Sequence, residues 1–258
     1  MKVCHTDRNM FYQVLRRAFD QLRLRPRVLE VGVLRGDNAA QMNQALSPEA
    51  LVLVDAWSSE PYLDYQRINA HRDWVVSMDD YAEYFGGLVS EQSTFDRLYE
   101  QTCARFADAA HVQILRAGSR EGEQQLRAQG VMPRGFDLVY VDASHQYEDV
   151  LDDLMRYAPL VSANGVLQMN DCCHSEAGVR QNLGVLEAVV HFIKSSDFVP
   201  VALTNTDFSD LILARRGSPA LGVVHRVIER SRVSYVAVPD ALLGAARVQG
   251  PGGKISFV

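Results

Sequence analysis

Apolar positions along the chain fall into blocks of two kinds. Short runs such as Val28, Leu29 and Val31, Leu51 to Val54, and Phe136 to Val141 have the length and branched side chains of strands buried on both faces. His111 to Arg116 and Val166 to Met169 read the same way, as do Phe198 to Leu203 and Leu211 to Ala214, a hairpin-like pair around Asn205 to Phe208. Between these runs the spacing is helical. Met10, Phe11, Val14, Leu15, Ala18, Phe19 and Leu22 share one face over residues 7–24, with Asp7 or Thr6 as cap, and predict a helix packed on the sheet or on a partner subunit. Helices are also expected over 93–107 and 120–129, from Val150 to Ala158, and from Val179 to Ile193.

Strands alternating with helices predict an α/β, Rossmann-like sheet, mostly parallel and seven-stranded, with helices on both faces. Right-handed crossovers bring the carboxyl ends of such strands to one crevice. The main domain is expected to span residues 1–215, with a C-terminal extension over 216–258. Within that extension, Val233 to Val238 and Ile255 to Val258 are strand-like and suited to cover a sheet edge or to make a homo-oligomer contact. The rhythm breaks over residues 57–108, where Trp57, Trp74, Tyr62, Tyr65, Tyr81, Tyr84 and Tyr99 gather. A connection this long is expected to be a lid lining a pocket, or a helical insertion with its own small core.

A chain of 258 residues can bury one sizeable core, and 47% hydrophobic with 22% charged residues is ordinary for a soluble globular protein. The net charge of -6 argues against a broad nucleic-acid surface. No apolar run approaches membrane-spanning length, and the opening M-K-V-C-H-T-D-R-N-M lacks the apolar core of a secretion signal, so a cytoplasmic protein with no membrane partner is expected. Four cysteines, Cys172 and Cys173 adjacent, suit a reducing compartment. With His174 they suggest zinc, but no second cluster completes the four ligands a structural site requires.

The most informative stretch is Arg27 to Gly36, R-V-L-E-V-G-V-L-R-G. Gly32 and Gly36 bracket a tight turn, and Asp37 offers an N-cap for the helix that follows. A dinucleotide fingerprint has glycine where this chain has Glu30. A carboxylate there repels a pyrophosphate but can hold an ammonium or a ribose hydroxyl. Asp55, roughly 20 residues further on, ends the next strand, where an acidic residue commonly accepts from both hydroxyls of a ribose diol. Ser119, Asp142, Asn170 and Asp171 also lie at or just after strand ends.

The E-x-G-x-x-x-G pattern resembles motif I of class I S-adenosylmethionine-dependent methyltransferases. The segment Asp142 to Tyr147, D-A-S-H-Q-Y, resembles the D-G-x-H-x-Y of a branch that includes macrocin-type small-molecule O-methyltransferases, and D-A-W at Asp55 to Trp57 and the later N-G-V strand are similar to the same branch. The resemblance covers roughly residues 25–215. It implies that Glu30 and Gly32 meet the methionine part of S-adenosylmethionine, that Asp55 holds the ribose, that Trp57 flanks the adenine and that Ser119 sits at its edge. Gly118 stands where the family usually has an acidic residue. Ala143 replaces a common glycine.

Methyl transfer to a hydroxyl requires alignment and removal of a proton. Asp142 with Asn170 or Asp171 offers hard oxygen ligands for Mg²⁺ or another divalent cation. Related metal-dependent O-methyltransferases use Asp then Asn, whereas this chain reads Asn170 then Asp171. His145 is the candidate general base, since histidine titrates near neutrality. The expected acceptor is a small hydroxylated molecule such as a sugar or a natural-product scaffold. An NAD-type oxidoreductase and a non-catalytic nucleotide-binding module are the competing readings.

Overall fold

Leu29 and Val31 point to one side of the central sheet, and Val28 and Glu30 to the other. All but Glu30 are buried among apolar neighbours, which is why this strand reads as an unbroken run. The computed structural model describes residues 1–131, 134–250 and 252–258. The sheet strands are β1 (Lys2–Cys4), β2 (Arg27–Val31), β3 (Ala50–Asp55), β4 (Val112–Arg116), β5 (Phe136–Val141), β6 (Val161–Met169), β7 (Phe198–Thr204), β8 (Leu211–Arg215) and β9 (Tyr235–Ala237). They lie in the order β4-β3-β2-β5-β6-β8-β7-β1-β9. β8 and β9 run antiparallel to their neighbours, and the other pairings are parallel.

The helices are α1 (Arg8–Gln21), α2 (Asp37–Leu46), α3 (Glu60–Asn69), α4 (Ala82–Phe85), α5 (Gln92–Arg105), α6 (Ser119–Ala128), α7 (Tyr147–Tyr157), α8 (Glu176–Arg180), α9 (Val185–Ser195) and α10 (Pro219–Arg230). One face of the sheet is covered by Leu126 of α6, Val150 and Leu154 of α7, and Val189 and Phe192 of α9. The opposite face meets Phe11, Leu15 and Phe19 of α1, Met42 of α2, and Val224 and Ile228 of α10.

The sheet has nine strands where seven are expected from sequence. β1 is only three residues long, below the length at which a pattern shows, yet it pairs in parallel with β7. The strand-like stretch of the tail supplies β9, which lies antiparallel on β1 and covers that edge. The tail also contains α10, whose Ala220, Val223, Val224, Val227 and Ile228 pack into the core. The helix expected from Val179 to Ile193 is instead two, broken where Asn182 takes a positive φ of 51°. Among the described residues, no helix is long and apolar enough to cross a membrane.

Candidate active site

The carboxyl ends of β2, β3, β5 and β6 open on one crevice, as parallel strands with right-handed crossovers require. At the end of β2 the chain turns through Gly32, with φ of 87°, into the start of α2. A β-carbon at Gly32 would overlap the carbonyl of Asp142, so the turn of β2 and the end of β5 touch backbone to backbone. Gly36, with φ of 75°, is the N-cap of α2. Asp37, expected to cap, is instead the first helical residue and pairs with Arg35 and Arg105.

Glu30 is buried, and its register neighbours across the sheet are Tyr140 and then Gln168, giving a polar row on the α1 side. Its Oε1 accepts from Asn38 Nδ2 at 2.7 Å, and Asn38 Oδ1 in turn accepts from the Tyr12 hydroxyl at 2.6 Å. Glu30 Oε2 is buried without a partner among the described residues. Burial raises this carboxyl well above its ordinary value, only partly offset by the Asn38 bond. An orphan buried acceptor costs roughly 1–3 kcal/mol, and a donor from a bound ammonium or hydroxyl group would satisfy it.

Asp55 is the keystone of the loop. Its Oδ2 accepts from the amides of Val33 at 2.7 Å and Leu34 at 2.9 Å, and its Oδ1 from the amide of Trp57 at 2.7 Å. A carboxylate has about four lone-pair sites, so one remains, on Oδ1. That leaves a single acceptor site, where two are expected from sequence for a ribose diol. Burial raises its carboxyl above the ordinary value against the pull of these three amides. The Trp57 ring has no exposed face, and its indole nitrogen donates to Leu34 O at 2.6 Å. The ring thus offers no face to a ligand, unlike the adenine-flanking place expected from sequence, and its bond braces the glycine loop. Ser119 is half-buried at the start of α6, and its carbonyl accepts from the Tyr157 hydroxyl at 2.6 Å.

The insertion has its own aromatic core, with the Tyr62 ring stacked on Phe95 at 4.9 Å and edge-on to Phe85 at 5.2 Å. It also reaches across to the α8–α9 turn. Val76 donates to Arg180 O at 2.9 Å, Gln181 Nε2 to the Tyr81 hydroxyl at 3.1 Å and Asn182 Nδ2 to Asn69 Oδ1 at 3.1 Å. Burial and the charges of Asp55 and Asp142 raise the Tyr62 hydroxyl.

The ends of β5 and β6 carry the other expected residues, and the fold does bring them together. Asp142 Oδ1 accepts from Asn170 Nδ2 at 3.0 Å and lies 3.2 Å from His145 Nε2. That same nitrogen is 3.2 Å from Asp171 Oδ2, and Asn170 Nδ2 also reaches Asp171 Oδ1 at 2.8 Å. Burial works to lower the His145 pKa, but the bond to Asp142 and the charges of Asp171 and Asp142 prevail and raise it to about 9. The titration range expected near neutrality is corrected upward accordingly. Burial raises Asp171 to about 6, against the stabilising charge of His145.

One residue of this group has no signal in the sequence. Arg8, in the first turn of α1, reaches Asn170 Oδ1, lies 3.8 Å from Asp142 Oδ2 and 3.2 Å from Asp210 Oδ2. Asp210 is buried and also accepts from the Tyr140 hydroxyl at 2.8 Å. The donor set therefore does not fit a divalent cation. The oxygens of Asp142, Asn170 and Asp171 face a guanidinium, an imidazole and an amide, and among the described residues no three His, Cys, Asp or Glu side chains are placed to hold a metal ion.

Comparison with known proteins gives the family. A family model described as a methyltransferase domain matches residues 29–172, more than half of the chain. The chain belongs to that methyltransferase family, and its fold is that of the class I S-adenosylmethionine-dependent methyltransferases. No curated protein matches it. Among solved structures, it is similar to a putative caffeoyl-CoA O-methyltransferase from Staphylococcus aureus, at 13% identity and TM-score 0.51, covering 82% of this chain and 85% of that one. It is also similar to the O-methyltransferase TomG from Streptomyces achromogenes, involved in tomaymycin synthesis and solved with S-adenosylmethionine. There the identity is 16% and the TM-score 0.50, over 81% of this chain and 80% of that one.

Proposed function

We propose that this methyltransferase moves the methyl group of S-adenosylmethionine to a hydroxyl of a small molecule, in the manner of the macrocin-type branch, with a sugar or natural-product scaffold as acceptor. The observation that carries the reading is the His145 imidazole held between Asp142 and Asp171 at the mouth of the crevice, beside the Gly32 turn. The names of the similar O-methyltransferases support the choice of oxygen.

When bound, S-adenosylmethionine supplies an electrophilic methyl group on a sulfonium. Glu30 Oε2 is the free acceptor for its ammonium, and the remaining lone pair of Asp55 Oδ1 takes a ribose hydroxyl. The insertion, tied across to the α8–α9 turn, limits water above the crevice. His145, once neutral, keeps its Nε2–H toward Asp142 and Asp171 and receives the acceptor proton at Nδ1, and the two flanking carboxylates stabilise the imidazolium that results. No divalent cation is needed in this scheme.

Calorimetry on the full chain tests the reading. Binding of S-adenosylmethionine or its demethylated product in the micromolar range, about -8 kcal/mol, is expected. Binding of NAD with neither of these would reject it in favour of an oxidoreductase.

A further inference from the structure

Metal-dependent methyl transfer places a cation between carboxylate and amide oxygens at two adjacent strand ends. This chain has such oxygens, but a side chain from the first turn of α1 stands among them. We propose that the Arg8 guanidinium is the resident cation of the site, seated where a divalent ion would otherwise lie between the ends of β5 and β6, and that it closes the site to such ions.

Four contacts of Arg8 carry this. Arg8 meets each strand end through an oxygen: Asn170 Oδ1 just past β6 and Asp142 Oδ2, at 3.8 Å, just past β5. Its Nε is anchored 3.2 Å from Asp210 Oδ2, a buried carboxylate held by the Tyr140 hydroxyl at 2.8 Å and by Gln168 Nε2 at 3.3 Å. The guanidinium carbon also lies 5.9 Å from the centre of the Tyr140 ring, within cation–π range. Asp210 thus has a dedicated mount, and Arg8 is the cation it faces.

The remaining oxygens are taken. Asp142 Oδ1 accepts from Asn170 and faces His145, while Asp171 gives one oxygen to each of the same two residues. Mg²⁺ demands oxygen ligands at about 2.0–2.1 Å in octahedral geometry. To enter here it would have to break these contacts and approach a guanidinium that is always charged.

Nor is Arg8 a wandering surface side chain. It sits in the first turn of a helix capped by Asp7, whose Oδ1 accepts from the Met10 amide at 3.2 Å, and whose Phe11, Tyr12, Leu15 and Phe19 are buried. Arg8 is a positioning residue: it holds Asp142 and Asn170 and compensates their surroundings. A guanidinium supplies charge and donors but no open coordination position, so the acceptor hydroxyl is not activated by a Lewis acid here. This consequence rests on the methyltransferase reading; the seating of Arg8 does not.

Titration of the full-length protein with Mn²⁺, followed by electron paramagnetic resonance, tests the seat. The wild type is expected to show no stoichiometric Mn²⁺ site below millimolar concentration. Arg8→Ala and Arg8→Met leave the same oxygens uncompensated, and each is expected to bind one Mn²⁺ about tenfold more tightly or better. That binding should be displaced by Mg²⁺ and lost when Asp142→Asn is added. A merely structural role for Arg8 would not create a metal site. A wild-type protein that binds one Mn²⁺ at micromolar concentration overturns the proposal, as do folded Arg8 variants that gain none. The wild-type measurement decides alone if both variants fail to fold. S-adenosylhomocysteine binding, read separately by calorimetry, reports on the methyltransferase assignment whatever the Mn²⁺ result.

Discussion

The α-carbon of Gly32 packs so closely against the carbonyl of Asp142 that no β-carbon fits between them. The turn that would cradle the methionine end of the cofactor and the strand end that precedes the proposed base are thereby fixed to each other through backbone. Two strains are expected in Gly32→Ala. A non-glycine residue at φ of 87° costs about 1–2 kcal/mol, and relieving the overlap roughly 1–3 more. Chemical denaturation should show a loss of that combined size, and calorimetry should show cofactor binding abolished. A variant as stable as the wild type, with unchanged affinity, would contradict this account of the turn.

Asp55 works through the same loop from below. Its carboxylate holds the amides of Val33, Leu34 and Trp57, so its charge shapes the glycine turn before any ligand arrives. Asp55→Asn preserves size but replaces one acceptor oxygen with a donor that faces a donor. Bonds to a charged acceptor are each worth roughly 1.5–3 kcal/mol. Loss of one should weaken S-adenosylhomocysteine about tenfold or more by calorimetry. Hydrogen exchange at Val33 and Leu34 should also quicken in the ligand-free variant. If affinity falls while those amides stay protected, Asp55 acts on the ribose alone and not through the loop.

Much of this site was readable from the chain, because strand ends announce themselves. Asp55, Asp142 and the Asn170-Asp171 pair each close an apolar run, Glu30 interrupts one a residue before its end, and parallel topology does the rest. What escaped has a common cause. Arg8 is one charge at the start of an amphipathic helix, and its partner Asn170 is 162 positions away. Nothing local distinguishes it from a solvated arginine. Asp210 escaped for the same reason, since the carboxylate at the start of β8 acquires meaning only beside Tyr140 and Arg8. Trp57 misled in the opposite way: its place after Asp55 was right for a ligand contact, but a positive φ of 41° turns its ring inward. β1 and α10 were missed because three residues are too few for a period and because the apolar face of α10 lay in a segment with few other signals.

The protonation of His145 gives the last expectation. Burial and, more weakly, Arg8 pull its pKa down, but Asp142 and Asp171, each 3.2 Å from Nε2, prevail and raise it to about 9 in the folded protein, against an ordinary 6.5. A raised histidine pKa means the folded state holds the proton more tightly than the unfolded one. The resulting stabilisation is complete below pH 6.5 and is lost as pH rises through about 9. Asp171 counts in a different window. Its pKa is raised by burial from 3.8 to about 6, so its contribution is greatest below 3.8 and is lost as pH rises through about 6. Melting temperature should therefore fall between pH 6.5 and 9.5, and fall less in His145→Gln. An NMR titration of the His145 ring should show a midpoint near 9, moved to lower pH in Asp171→Asn, where one raising charge is gone. Turnover limited by proton transfer should climb over the same range as the base becomes neutral. A His145 ring that titrates near 6.5 in the folded wild type would remove both the stability window and the alkaline rise.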